Sequence, residues 1–267
     1  MSYWTKRQEK ALEAISDKSI KEINKQLQKY YGKAAKQVIA DFEATYNKLL
    51  ATVGDGKEPT PADLYKLDKY WQLQGQMRRE LQKLGDKQIV ILSKAFETNF
   101  FEVYYSINLD NITEAFTTID TTAVQQLINA VWCADGKSWS QRVWDNTDRL
   151  AETLNNELIH IVASGKKNSD LVKTLQERFD VSYSRANTLV RTEVAHIQTQ
   201  AAAQRYKDYG LEKYEILGND DDTCGSHGID CHKMDGKKFY YNEMRVGKNA
   251  PPFHPNCRCA IIPVIDF

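Results

Sequence analysis

The sequence predicts a mainly α fold, an elongated helical body followed by a small zinc-stapled α+β module at the C-terminus. Three observations carry that reading. Apolar residues recur every three or four positions through most of the chain. The period changes to strand-like alternation after Gly210. Four of the five cysteines, Cys224, Cys231, Cys257 and Cys259, lie beyond that change.

The first helix is marked by Leu27, Tyr31, Ala34, Val38, Phe42, Tyr46 and Leu49, with Gly32 inside the pattern as a place for a bend. Val53 to Pro59 breaks the period, and Thr60-Pro61-Ala62-Asp63 restarts it with a capping residue, a proline at the first helical position and an acid. Leu64, Leu67, Trp71, Met77, Leu81 and Leu84 mark the buried face of a second helix, which Gly85 is expected to end. Ile89, Leu92, Phe96, Phe100 and Val103 mark a third, so residues 1–109 read as antiparallel helices joined by short turns.

Residues 110–210 form a second helical region. Asn108, Asp110, the Thr117-Thr118 and Thr121-Thr122 pairs and Asp135-Gly136 break the pattern into short helices and loops. Ser138 caps a helix that carries Val143, Leu150, Leu154, Leu158, Ile161 and Val162 and stops at Gly165. Asn168 caps a short helix through Phe179, and Ser182 to Tyr209 is the last long one, stopped by Gly210. Residues 211–267 make the third region, with strands at Leu211 to Leu217, Lys238 to Tyr241 and Ala260 to Ile265, the last placed at a sheet edge by Pro263.

Composition narrows the function. Basic and acidic side chains balance at 36 each, so no global field draws the chain to nucleic acid or anionic lipid. No apolar stretch approaches the roughly 20 residues of a membrane span. Met1 to Arg7 lacks the pattern of a signal peptide, which places the expected site of synthesis and assembly in the cytoplasm. Cys133, beside Val131 and Trp132, reads as a small core residue.

The chemistry concentrates in two loops. One carries Cys224 and Cys231, the other His254-Pro255-Asn256-Cys257-Arg258-Cys259. A tetrahedral zinc site takes four sulfur or imidazole donors, usually as two close pairs from two loops. Cys224, Cys231, His254 and Cys257 supply such a set, with Cys259 a fifth candidate and His227 and His232 surplus donors. The competing reading is a cluster of reduced, partly buried thiols with no metal. Energetics favour a structural ion, because a module this small obtains only roughly 3–5 kcal/mol from its core, whereas zinc contributes on the order of 10–16 kcal/mol in small peptides. Four protein donors also close the coordination shell, leaving no position for a reactive water.

The zinc deaminase pattern, a His-Glu-x-x-His helix, a phosphate loop and a Gly-x-Ser-x-Gly elbow are all missing from the sequence. Asp220, Asp221 and Asp222 read as a solvated turn rather than hard-metal ligands. Arg191 and Glu193 are two apart and do not share a helix face, so Arg191 is a candidate tie between its helix and the terminal module.

The chain resembles the Mu F-like minor head proteins of tailed phages, the head-morphogenesis family. The resemblance lies in Trp139-Ser140-Gln141-Arg142-Val143-Trp144, Leu189-Val190-Arg191-Thr192-Glu193, Cys231-His232-Lys233-Met234-Asp235-Gly236-Lys237 and Pro251 to Cys259. It departs from the family in the long insertion, residues 225–230, between the first two cysteines. The resemblance implies a non-enzymatic minor capsid protein at the portal vertex of the virion, in host cytoplasm during assembly. Its implied partners are the portal protein, the scaffold or major capsid protein, and double-stranded DNA.

For DNA, Lys237, Lys238, Arg245, Lys248 and Arg258 with Phe239, Tyr240 and Tyr241 offer a basic, aromatic face, against which stands an equal number of acids. Two other classes compete: a metal-dependent nucleic-acid enzyme using His254, Asn256 and the acids near Asp222, and a host adaptor with a zinc-finger tail.

Overall fold

The computed structural model describes residues 3–54, 57, 59–66, 68–109, 119–165, 167–218 and 230–265. Among them are α1 (Tyr3–Val53), α2 (Pro61–Lys66), α3 (Asp68–Ser106), α4 (Thr121–Ile128), α5 (Trp139–Ala163) and α6 (Asn168–Asp208), followed by strands β1 (Lys213–Leu217), β2 (Lys238–Tyr240) and β3 (Ala260–Pro263). The mainly α class with a small terminal sheet is therefore the observed one. Leu67, Asp110, Thr117 and Thr118 lie outside the described residues.

The apolar stripe of α1 is buried as its spacing requires, with Leu27, Val38, Phe42 and Leu49 fully covered. It pairs antiparallel with α3, early residues against late ones: Lys18 meets Glu102 at 3.4 Å, and Tyr31 meets Gln88. The turn into α2 closes as a capping box, the Thr60 amide donating to Asp63 and the Asp63 amide to the Thr60 hydroxyl. Ser138 and Gln141 make the same reciprocal pair at the start of α5.

Three expectations about helix limits and faces fail for tertiary reasons. Gly85 does not end a helix, since α3 runs straight through it. A Cβ there would sit 2.4 Å from the Trp144 ring, so glycine serves close approach to α5. The expected boundary between Phe179 and Ser182 is also absent, because α6 is continuous. Ser182 does not start a helix but is a buried residue inside α6 whose carbonyl accepts from the Asn146 amide at 2.9 Å. Trp71 is 64% exposed, and the covered face is set by Tyr70, Leu73, Met77 and Leu81, one position out of phase with it.

The chain divides into two compact units that interleave in sequence. One comprises Met1–Asn24, Ile91–Gln141 and Asn187–Phe267, the other Lys25–Val90 and Arg142–Ala186. The second unit holds a buried polar junction in which the Asn146 amide donates to the Tyr31 hydroxyl at 3.1 Å, with Gln88 and Ser182 around the same oxygen. In the first unit the Phe96 ring meets the Trp139 edge at 5.4 Å. Arg205 lies against the Tyr104 and Tyr209 rings and donates to the Ile107 carbonyl.

The terminal sheet belongs to this first unit and has the order β2-β1-β3, both pairings antiparallel. Pro263 sits on edge strand β3, where its missing N–H costs no ladder bond. No described helix is long and apolar enough to cross a membrane.

Candidate metal centre

Central strand β1 positions both donor loops. Gly210, at φ 75°, ends α6 with the Leu211 amide donating back to the Tyr206 carbonyl, and the chain turns directly into β1. Beyond β1, residues 230–237 fold back on it: Ile216 donates to the Lys237 carbonyl and accepts from the Gly236 amide. Asp230 caps the 3-10 turn Cys231–Lys233 by accepting from the His232 amide, which faces buried Cys231 inward and leaves His232 exposed.

The second loop ends where β3 begins, and β3 pairs with the other edge of β1. Within it the Cys257 amide donates to the His254 carbonyl, and Asn256 takes a left-handed backbone at φ 61°, a conformation asparagine tolerates better than most. The Asn256 amide donates to the Thr192 hydroxyl at 3.1 Å. Helix α6 is thus tied to the module through Thr192, whereas neighbouring Arg191 donates through Nε to Asn187 on its own helix.

Cys231, Cys257 and Cys259 converge, their buried sulfurs all within 4.8 Å of one another. Cys231 and Cys257 lie 4.0 Å apart. Two thiolates on one tetrahedral zinc, at Zn–S of about 2.3 Å, stand about 3.8 Å apart, so the spacing suits a shared ion. His254 joins through its Nε2, 3.1 Å from the Cys231 sulfur. Its Nδ1 lies 2.9 Å from the Pro255 carbonyl, which can only accept, so the hydrogen sits on Nδ1 and the Nε2 lone pair faces the thiols. A backbone carbonyl holding the far nitrogen is how metal-bound imidazoles are commonly oriented.

The Cys257 thiol is drawn down to about 6, chiefly by hydrogen bonding with the Cys259 side chain. Backbone hydrogen bonds at Phe253 and Cys259 act the same way, against burial. A thiol that ionises this readily is the form a metal takes up. Three close cysteines, with an imidazole beside them, can hold a metal ion.

Cys224 and His227 lie outside the described residues, as do Asp220, Asp221 and Asp222. Cys133 is half-buried in the loop after α4 and does not join the cluster, so it is less covered than a core residue would be. Tyr241 does not belong to an outer basic, aromatic face: it is buried, its ring 5.1 Å from that of Tyr214. Lys238 is engaged with Glu215 across the strands.

A second buried group lay beneath the sequence signals. His196 stacks on Trp132 at 4.7 Å, and the Trp132 indole donates to buried Glu193 at 3.0 Å. Burial pushes His196 down to about 3. Only the helical spacing of Glu193 and His196 hints at this from sequence, because Trp132 arrives from a distant loop.

Fold and centre together define a class: a helical protein whose thiol-bearing terminal module could be stapled by a metal. Residues 152–262, spanning the second half of α5, all of α6 and the four terminal cysteines, match the Phage Mu protein F like protein family. The chain is also similar to an NAD(+)--arginine ADP-ribosyltransferase EFV of Enterococcus faecalis, 25% identical over 190 residues, covering 65% of this chain and 38% of that protein. An uncharacterized protein of Haemophilus influenzae is 24% identical over 116 residues, 43% of this chain and 25% of the relative. The chain thus spans well under half the length of either relative. No solved structure matches it significantly.

Proposed function

We propose that this chain is a non-enzymatic minor head protein of a tailed phage, built into the virion at the portal vertex and acting in head morphogenesis. The observation that supports it is the family match over residues 152–262, which takes in the three clustered thiols and His254. In this reading the ion is zinc, and it acts as a folding staple. Sulfur and imidazole donors suit zinc over the oxygen-seeking magnesium or calcium. Cys231, Cys257, Cys259 and His254 are the described residues that would hold it, with Cys224 the candidate outside them.

The portal protein is the proposed partner, with scaffold or major capsid protein and packaged DNA as further ones. Fractionation of assembling heads tests this: the chain is expected to co-purify with the portal protein and to be present in mature particles. Its absence from both would overturn the proposal.

One observation favours a second reading. The Enterococcus faecalis relative carries the name of an arginine-modifying enzyme, although most of its length lies outside the matched region. Incubation of the full chain with labelled NAD and an arginine-containing acceptor separates the two. Label transfer would favour the enzyme, and none is expected. Metal-dependent cleavage of DNA, appearing with magnesium or manganese and lost on His254→Ala, would instead revive the nuclease alternative.

A further inference from the structure

A cavity of about 100 Å³ lies beside the thiol cluster, entirely within the first compact unit. Its walls come from α1, α6, the end of β1 and the second donor loop. Four charged side chains line it: Glu13 and Asp17 on α1, Arg191 on α6 and Arg258 on the loop. The Cys257 and Cys259 side of the metal centre forms part of its inner wall, and Ile20, Val194 and Leu217 contribute apolar surface.

These four charges are not used to hold the fold together. Glu13, Asp17 and Arg258 have no ion pair or hydrogen bond among the described residues, and Arg191 spends only its Nε, on Asn187. That one bond is itself braced, since Asn187 Oδ1 also accepts from the Asn24 amide at 3.0 Å. That contact engages Nε and leaves the two terminal nitrogens of Arg191 available. Glu13 and Asp17 stand one helical turn apart on the same face, where like charges repel unless a cation sits between them.

Each wall thus lacks the opposite charge. Arg191 and Arg258 call for an oxyanion, whereas Glu13 and Asp17 call for a cation. A phosphate backbone satisfies the first pair and is repelled by the second. A protein segment presenting a carboxylate beside an ammonium satisfies all four charges at once, and its methylene stems match the apolar surface.

We infer that this cavity is a docking site for a partner protein's acidic side chain flanked by a basic one. It binds the carboxylate on Arg191 and Arg258 and the ammonium on Glu13 and Asp17. The assignment stands whether or not the neighbouring thiols carry an ion.

The test uses the full-length, isotope-labelled chain and a blocked dipeptide, N-acetyl-Lys-Glu-amide, titrated by NMR. The backbone amides of Gly218, Asn256 and Ala260 are expected to shift saturably. Inorganic phosphate, a short DNA duplex and N-acetyl-Lys-Gln-amide are each expected to bind about tenfold more weakly or worse, the worth of one lost charge pair. Arg258→Glu and Asp17→Lys, both at exposed positions, should each weaken the dipeptide by a similar factor while the remaining amide spectrum stays native. No saturable shift, phosphate or DNA binding as tightly as the dipeptide, or unchanged affinity in both variants would overturn the assignment. Zinc content is measured on the same samples. Metal-free protein that still binds the dipeptide would remove the zinc staple and leave this site standing.

Discussion

At the scale of single residues, buried ionisable groups give the sharpest tests. His196 is held neutral by burial, its ionisation lowered to about 3 from an ordinary 6.5. The unfolded chain takes up this proton below about pH 6.5 while the folded chain does not, so acid favours unfolding. Stability is full above that pH and falls as pH drops toward 3, by up to about 1.4 kcal/mol per pH unit from this one ring. Urea denaturation at pH 7 and pH 5 should show a steeper loss in the parent than in His196→Gln, and equal slopes would remove His196 as the cause.

The Tyr31 hydroxyl, shared by Asn146, Gln88 and Ser182, gives a second test at this scale. Tyr31→Phe leaves those buried groups short of a partner and should cost about 1–3 kcal/mol in denaturant unfolding. A neutral effect would mean that the junction does not contribute to stability.

At the scale of elements, the differences between sequence and structure have a common physical source. The amphipathic stripes of α1 and α5 were legible because periodicity records burial directly, and Ser138 was legible as a cap because capping is local. Gly85 and Ser182 were misread as punctuation because what determines them comes from elsewhere in the chain: the Trp144 ring for one, Tyr31 and Asn146 for the other. Gly85→Ala tests this directly. Helix propensity alone would gain roughly 1 kcal/mol, but the new methyl meets the indole at 2.4 Å. The expected outcome is a net loss of about 1–3 kcal/mol in thermal or denaturant unfolding, and a stabilised variant would show that Trp144 moves aside at little cost.

The donor loops were half legible at the same scale. Spacing announced Cys231, His254 and Cys257, since thiols and an imidazole in two short loops have few other uses. Cys259 ranked last in sequence, yet it lies in the cluster. It stands two residues from Cys257 on chain about to enter β3, and alternate residues of an extended segment share a side. The charged cavity was not legible at all, because Glu13 and Arg258 lie at opposite ends of the sequence and meet only in the fold.

At the scale of the whole molecule, helical body and terminal module answer to different forces. The body is held by broad apolar faces along long helices. The module has a three-stranded sheet with short strands, too little to stand alone without help. The thiol cluster joins the loops on either side of β1, so an ion there would fasten the sheet's connections at one point. Loss of the ion should therefore unravel the module and spare the helices. In limited proteolysis Cys257→Ser is expected to be cut near Gly210 while α1, α3 and α5 persist, and an intact module in that variant would show that no ion holds it.

The most direct measurement is elemental analysis of chain purified without chelators, alongside Cys257→Ser. The staple predicts about one zinc per chain in the parent and a substoichiometric amount in the variant. A parent protein with no stoichiometric metal, or a variant that keeps its full share, would contradict it.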